Sequence, residues 1–334
     1  MGESSLATIH KARDNSVKAI LAEPELFAEF IRDFTSIEIL KDVSPEDIED
    51  VTERFLSLVS EQKDGDTVKR INLKGGIALF VITIVEHESQ VNFRASFKML
   101  LYIALILNAY ETEVNETEVN KETPRITQTR DFKYPPILPI IFYDGDGEWT
   151  AEMNFLNRTE MSDIFEKYIP KFEYELVSLK DYSYGDLAKF GNMLSLFMMI
   201  SKMRDAEQFN VLKNIPSDYA KQFDSMNVPS HLKELLVKVI TTLLTKINVP
   251  KNEIDDITSK IDERGVSEML AIADYDVQAT RRNASQQALL ERLVRQIYRK
   301  KLKMKTREQI IDELELEAND IDVLDNFESY RHLV

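Results

Sequence analysis

Two runs rich in β-branched residues, Thr67 to Leu73 and Ile77 to Glu86, flank Lys74-Gly75-Gly76 and constrain this chain most. The pattern predicts a β-hairpin, since two extended runs joined by a short Gly-containing link can pair antiparallel. If the turn is the three residues Lys74 to Gly76, Leu73 pairs with Ile77. Asp66 then lies opposite Ile84, on the face that also carries Glu86. If the loop is only Gly75-Gly76, the register moves by one and Asp66 turns to the other face. Glu86 and Glu88, two residues apart, share a face in either case. Clustered carboxylates repel one another and call for a cation. Mg²⁺ takes oxygen ligands and is often held by one or two carboxylates together with substrate phosphate. Such an ion polarises a phosphodiester, activates water and steadies the leaving oxygen.

The rest of the chain supplies helices for such a sheet. Residues 15–43 have helical spacing through Ala19, Ile20, Phe27, Phe30, Ile31 and Phe34. Ser44-Pro45-Glu46-Asp47 reads as a helix start. Residues 94–109 return to an apolar helical pattern. ETEVNETEVN at 111–120 is a tandem copy of five residues, read as a solvated loop. Ile137 to Tyr143 reads as a buried strand closed by Asp144-Gly145-Asp146-Gly147, and Phe172 to Leu179 as another. Residues 186–203 read as an apolar helix. After about residue 205 every segment reads as helix. This predicts a mixed α/β domain over 1–205 and a helical region over 206–334. Tyr143 and Trp149, which flank the Asp-Gly turn, are expected to pack rather than to stack on bases.

Several function classes drop out. With no cysteine there is no disulfide, thiolate metal site or cysteine nucleophile. The four His are scattered without a metal-site spacing. No phosphate-binding Gly loop and no nucleophile elbow occur. The longest apolar run, Met99 to Leu107, is too short to span a bilayer, and residues 1–14 lack the apolar core of a signal peptide. No membrane partner and a cytoplasmic location are expected. The net charge of −16 at first argues against nucleic acid. It hides an asymmetry: 281–307 holds ten basic residues and one acid, leaving the remainder at −25.

That basic segment includes Arg295, Arg299, Lys300, Lys301 and Lys303. Thr306-Arg307-Glu308-Gln309 then fits a capping box opening a further helix. A basic helix, a short turn and an amphipathic helix suggest a helix-turn-helix-like unit. It could contact the DNA backbone or serve as a dimerisation tail. Arg94 and Lys98, four residues apart, share a helix face. They read as phosphate contacts or as a solvated face.

Three stretches carry a resemblance over nearly the whole length: KRINLKGGIALFVITIVEHESQVNFRASFKMLLY (69–102), YPPILPIIFYDGDGEWTAEMNF (134–155) with FEKYIPKFEYELVSL (165–179), and LVRQIYRKKLKMKTREQIIDELE (293–315). The chain resembles the recombination-promoting nuclease or putative transposase family of the PD-(D/E)XK nuclease superfamily. The resemblance implies a mixed sheet flanked by helices, followed by an all-helical C-terminal region. It implies a metal-dependent endonuclease acting on double-stranded DNA in recombination or on mobile elements. Asp66 matches the family's hairpin aspartate and Glu86 the glutamate of its Glu-x-Gln or Glu-x-Lys motif. Glu88 stands at the Gln/Lys position, where it would be a base or further ligand. A shifted alignment, Glu88-Ser89-Gln90, keeps Gln90 as a candidate. Asp14 matches the first-helix acid, so the implied Mg²⁺ (or Mn²⁺) ligands are Asp66, Glu86, Glu88 and Asp14. The alternative is a catalytically degenerate relative that binds DNA or forms a homodimer through its C-terminal helices.

Overall fold

The computed structural model describes residues 15–56, 66–86, 91–117, 125–204, 228–247, 251–264, 277–314 and 318–331, with single positions between some of these stretches. The hairpin forms as expected. Strands Thr67–Leu73 and Ile77–Glu86 pair antiparallel in the register Leu73↔Ile77 through Thr67↔Thr83. The turn is therefore the three-residue one. Gly75 and Gly76 take φ of +91° and +78°, a left-handed backbone that residues with a Cβ avoid.

With β1 at Ile48–Asp50, β2 and β3 for the hairpin strands, β4 at Ile137–Tyr143 and β5 at Glu175–Ser178, one sheet runs in the order β1-β2-β3-β4-β5. β1, β2 and β3 pair antiparallel with one another, whereas β4 and β5 continue parallel to β3. A parallel neighbour requires a crossover, and the helical pattern at 94–109 lies almost wholly within the helix that makes it. Helices 15–22 (α1), Pro24–Phe34 (α2) and Thr52–Leu56 (α3) precede the hairpin, and Ala95–Thr117 (α4) crosses from β3 to β4. Ser162–Phe165 (α5), Tyr184–Phe190 (α6) and Met193–Ser201 (α7) follow. The fold is α/β, a mixed five-stranded sheet with helices on both faces.

Alternation along the strands divides the core in two. Val68, Phe80, Ile82 and Ile84 meet Met99, Tyr102 and Ile106 of α4 on one face. Ile71, Val81, Val85, Phe142 and Val177 face α1, α2, α7 and helices Ser230–Lys246 and Lys251–Arg264 on the other. Burial on both faces explains the near-continuous apolar sequence of β3 and β4. A third cluster, around Val294, Ile297, Ile310 and Phe327, joins helices Val277–Leu302, Arg307–Leu314, Ala318–Asp325 and Phe327–Tyr330. Beyond residue 205 every described element is a helix. Among the described residues no helix is long and apolar enough to cross a membrane.

Four expectations need correction. The helical stretch 15–43 is broken at Pro24, whose ring and missing N–H end α1 and start α2. Ser44-Pro45 opens only a 3₁₀ turn, Pro45–Asp47, before β1, although Asp47 Oδ2 accepts hydrogen bonds from both the Ser44 N–H and hydroxyl at 2.9 Å. The apolar 186–203 helix is two helices, divided at Gly191 (φ +63°), with Asn192 Oδ1 capping α7 through the Ser195 N–H. The polar repeat is not a loop up to Thr117, because α4 continues through it. Its acids find partners there: Glu113 pairs with Arg54 and Arg70, and Glu111 accepts from Tyr134 and Thr127. The remainder of the repeat lies outside the described residues.

Candidate functional site

The three-residue turn decides where Asp66 sits. Continuing the register one step past Thr67↔Thr83 sets Asp66 opposite Ile84, on the α4 face. Positions 80 and 82 precede Ile84 on that face of β3, and 86 continues the series along the backbone. Glu86 ends β3 beside Tyr143 at the end of β4. Asp66 and Glu86 thus share one end and one face of the sheet.

Asp66 is almost fully buried, with its side chain 1% exposed. Asp66 and Asp144 are the buried acids among the described residues. A buried carboxylate needs partners, since an uncompensated charge away from water is costly. Two residues of α4 supply them. Tyr102 donates its hydroxyl to Asp66 Oδ2 at 2.6 Å, and Lys98 Nζ lies 2.5 Å from the same oxygen. Lys98 and Tyr102 are one helical turn apart, with the ammonium 5.6 Å from the phenol ring centroid. A carboxylate, an ammonium and a phenol therefore converge at the sheet end that carries Glu86.

The neighbouring ends of β4 and β5 are pinned by cations. Arg204 donates to Asp144 Oδ1 at 2.5 Å and to Asp146 Oδ1 at 2.7 Å, both in the turn after β4. Lys202 donates to the carbonyls of Leu179, Lys180 and Tyr182 beyond β5, and burial holds its ammonium below the usual lysine range. Trp149 packs edge-on against Tyr143 at 5.2 Å and donates Nε1 to the Tyr174 hydroxyl at 2.9 Å, so both aromatics are packing residues as expected. The sequence reading missed Tyr102, Arg204 and Lys202. The Lys98-x-x-x-Tyr102 spacing was visible, but nothing local told which strand the pair would meet.

The other predicted site residues are placed as follows. Arg94 is exposed at the start of α4, its guanidinium 5.8 Å from the Phe97 ring centroid, while Lys98 points inward to Asp66. The two are not an equivalent pair on an open face. Asp14, Glu88 and Gln90 lie outside the described residues, and Glu86 is placed by its backbone. In the C-terminal segment Arg295, Arg299 and Lys303 are exposed. The local count had only Glu291 opposing this charge. The fold brings more: Glu313 takes Lys300 at 2.5 Å and Lys305 at 2.9 Å, and Asp325 takes Arg307 through two contacts. Lys301 Nζ lies 4.4 Å from the Phe327 ring centroid. The capping box forms, Thr306 N–H donating to Gln309 Oε1 at 3.1 Å.

Compared with known protein families, residues 11–228 match the family described as "Putative transposase, YhgA-like". No curated protein and no solved structure matches the chain.

Proposed function

We propose, for a chain that belongs to the YhgA-like putative transposase family, a metal-dependent DNA endonuclease that hydrolyses phosphodiester bonds in a mobile-element or recombination setting. The observation that carries this reading is the buried Asp66 carboxylate, set by the hairpin register on the same face and end of the sheet as Glu86. The antiparallel β1-β2-β3 part of the sheet, followed by the α4 crossover to a parallel β4, supports the PD-(D/E)XK nuclease-like core suggested by the resemblance.

Mg²⁺ or Mn²⁺, when bound, would polarise the phosphate and make a nucleophile of its water near neutral pH. Asp66 and Glu86 are the residues to hold the ion, with Glu88 and Asp14 as further ligands. Hard carboxylate oxygens suit these ions. Lys98 pairs with Asp66 in its buried position and carries an ammonium that can turn to a phosphate oxygen. Tyr102 fixes the carboxylate rotamer through its hydroxyl. Arg94 on the rim, and Arg295, Arg299 and Lys303 in the helical C-terminal region, would meet the DNA backbone. Lys300 and Lys301 would contribute less, since Glu313 and Phe327 already engage them.

A second reading has its own observation. Lys98 already pairs with the Asp66 carboxylate, and a Glu stands at position 88. Both features suit a relative that binds DNA without cutting it. The test is nicking of supercoiled plasmid with Mg²⁺ or Mn²⁺. Cleavage abolished by Asp66→Ala and by Glu86→Ala supports the endonuclease. Cleavage that persists in both variants overturns the site assignment. Salt-sensitive DNA binding, without cleavage and without calorimetric metal binding, supports the second reading.

A further inference from the structure

Away from the sheet end, Glu23, Glu25 and His231 form the one group of three His and carboxylate side chains among the described residues whose ligand atoms converge. His231 Nε2 lies 3.4 Å from Glu25 Oε1 and 3.8 Å from Glu23 Oε2, and all three ligand atoms are within 4.8 Å of one another. The positions are held from both sides. Glu23 precedes Pro24 at the start of α2, and its carbonyl accepts the Phe27 N–H at 2.9 Å. His231 is in the first turn of Ser230–Lys246. Leu26, Phe27, Leu232 and Leu235 anchor the two helices in the same core. The side chains are 34%, 36% and 48% exposed for Glu23, Glu25 and His231, so an ion can reach them without any rearrangement of the core.

We infer that Glu23, Glu25 and His231 form a Zn²⁺ site that clamps α2 to helix Ser230–Lys246. Tetrahedral zinc with bonds of ~2.0–2.1 Å sets neighbouring ligand atoms ~3.4 Å apart, close to the 3.4 and 3.8 Å between His231 and the two carboxylates. One imidazole with two carboxylates is a donor set that zinc accepts, with the fourth position left to water. Mg²⁺, which prefers oxygen donors throughout, discriminates against the imidazole. The clamp would join residues that are distant in the chain, and it is independent of the nuclease reading because it shares no residue with Asp66 or Glu86.

The experiment is calorimetric titration of the full chain, stripped with EDTA, with ZnCl₂ in a background of MgCl₂. One zinc per chain is expected, with a higher thermal midpoint. Co²⁺ in place of zinc should show the intense visible absorption of a tetrahedral centre. His231→Gln and Glu25→Gln should each weaken zinc by roughly tenfold or more, the scale on which disturbed metal sites lose affinity. Asp66→Asn should leave the zinc signal unchanged. All of these side chains except Asp66 are partly exposed, and circular dichroism verifies that the variants fold. Absence of zinc binding, or a zinc signal that survives His231→Gln and Glu25→Gln together, overturns the proposal. So does a signal lost on Asp66→Asn in a folded variant.

Discussion

Replacing Lys98 by Met tests the geometry around Asp66 most directly. The substitution keeps an unbranched side chain of similar reach, so packing changes little, but it removes the ammonium 2.5 Å from a carboxylate that is 1% exposed. Removing one partner of a buried ion pair costs about 3–5 kcal/mol, because the other charge is stranded. Urea unfolding in EDTA should thus show Lys98→Met destabilised by about 3–5 kcal/mol at pH 7. Adding Asp66→Asn to Lys98→Met should recover most of the loss, since no charge is then stranded. The same vacancy at Oδ2 should let Lys98→Met bind Mg²⁺ more tightly than the parent. A cost below about 1 kcal/mol at pH 7 would refute a desolvated Asp66–Lys98 pair.

Three other outcomes follow from the described contacts. Glu29 accepts the Leu194 N–H at 2.7 Å at the start of α7, and burial raises its carboxyl to about 7 from an ordinary 4.5. Its contribution is complete below the unfolded value and lost as pH rises to about 7. Glu29→Gln, which keeps the acceptor, should be more stable than the parent by about 3 kcal/mol at pH 8 and equal to it near pH 4.5, by urea unfolding at both pH values. Lys69 is 1% exposed, its ammonium 2.6 Å from the half-exposed Asp50. Lys69→Met should stay within about 1 kcal/mol of the parent, whereas Asp50→Ala, which strands the buried ammonium, should cost about 3 kcal/mol in the same assay. Changing Arg295, Arg299 and Lys303 together to Gln should lower the slope of log K for DNA against log salt by roughly 3, while Lys300→Gln moves it less because Glu313 already holds that ammonium. An unchanged slope in the triple variant would remove this face from the DNA contact.

The sequence alone determined what short-range forces control. β-branched runs around a Gly-Gly link dictated the hairpin, and the apolar stretches at 94–109 and 137–143 dictated a helix and a buried strand. Both hold in the structure because propensity and burial agree there. Pro24 and Gly191 are legible as breakers, yet they lie inside apolar patterns whose periodicity runs on past them. The hairpin register has two alternatives in the sequence, and two glycines with positive φ in a three-residue turn decide it. Everything that turns Asp66 from a strand-end acid into a buried, partnered group came from elsewhere in the chain. Lys98 and Tyr102 arrive on a crossover helix, and only the packing of that helix on the sheet selects the strand they meet. The same holds for the polar repeat, which is helical because Arg54, Arg70 and Thr127 receive its side chains, and for the basic tail, partly neutralised by Glu313 and Asp325. Local preference acts over a few residues. Charge pairing and burial act between any residues that the fold brings together, and the tertiary structure alone decided which those were.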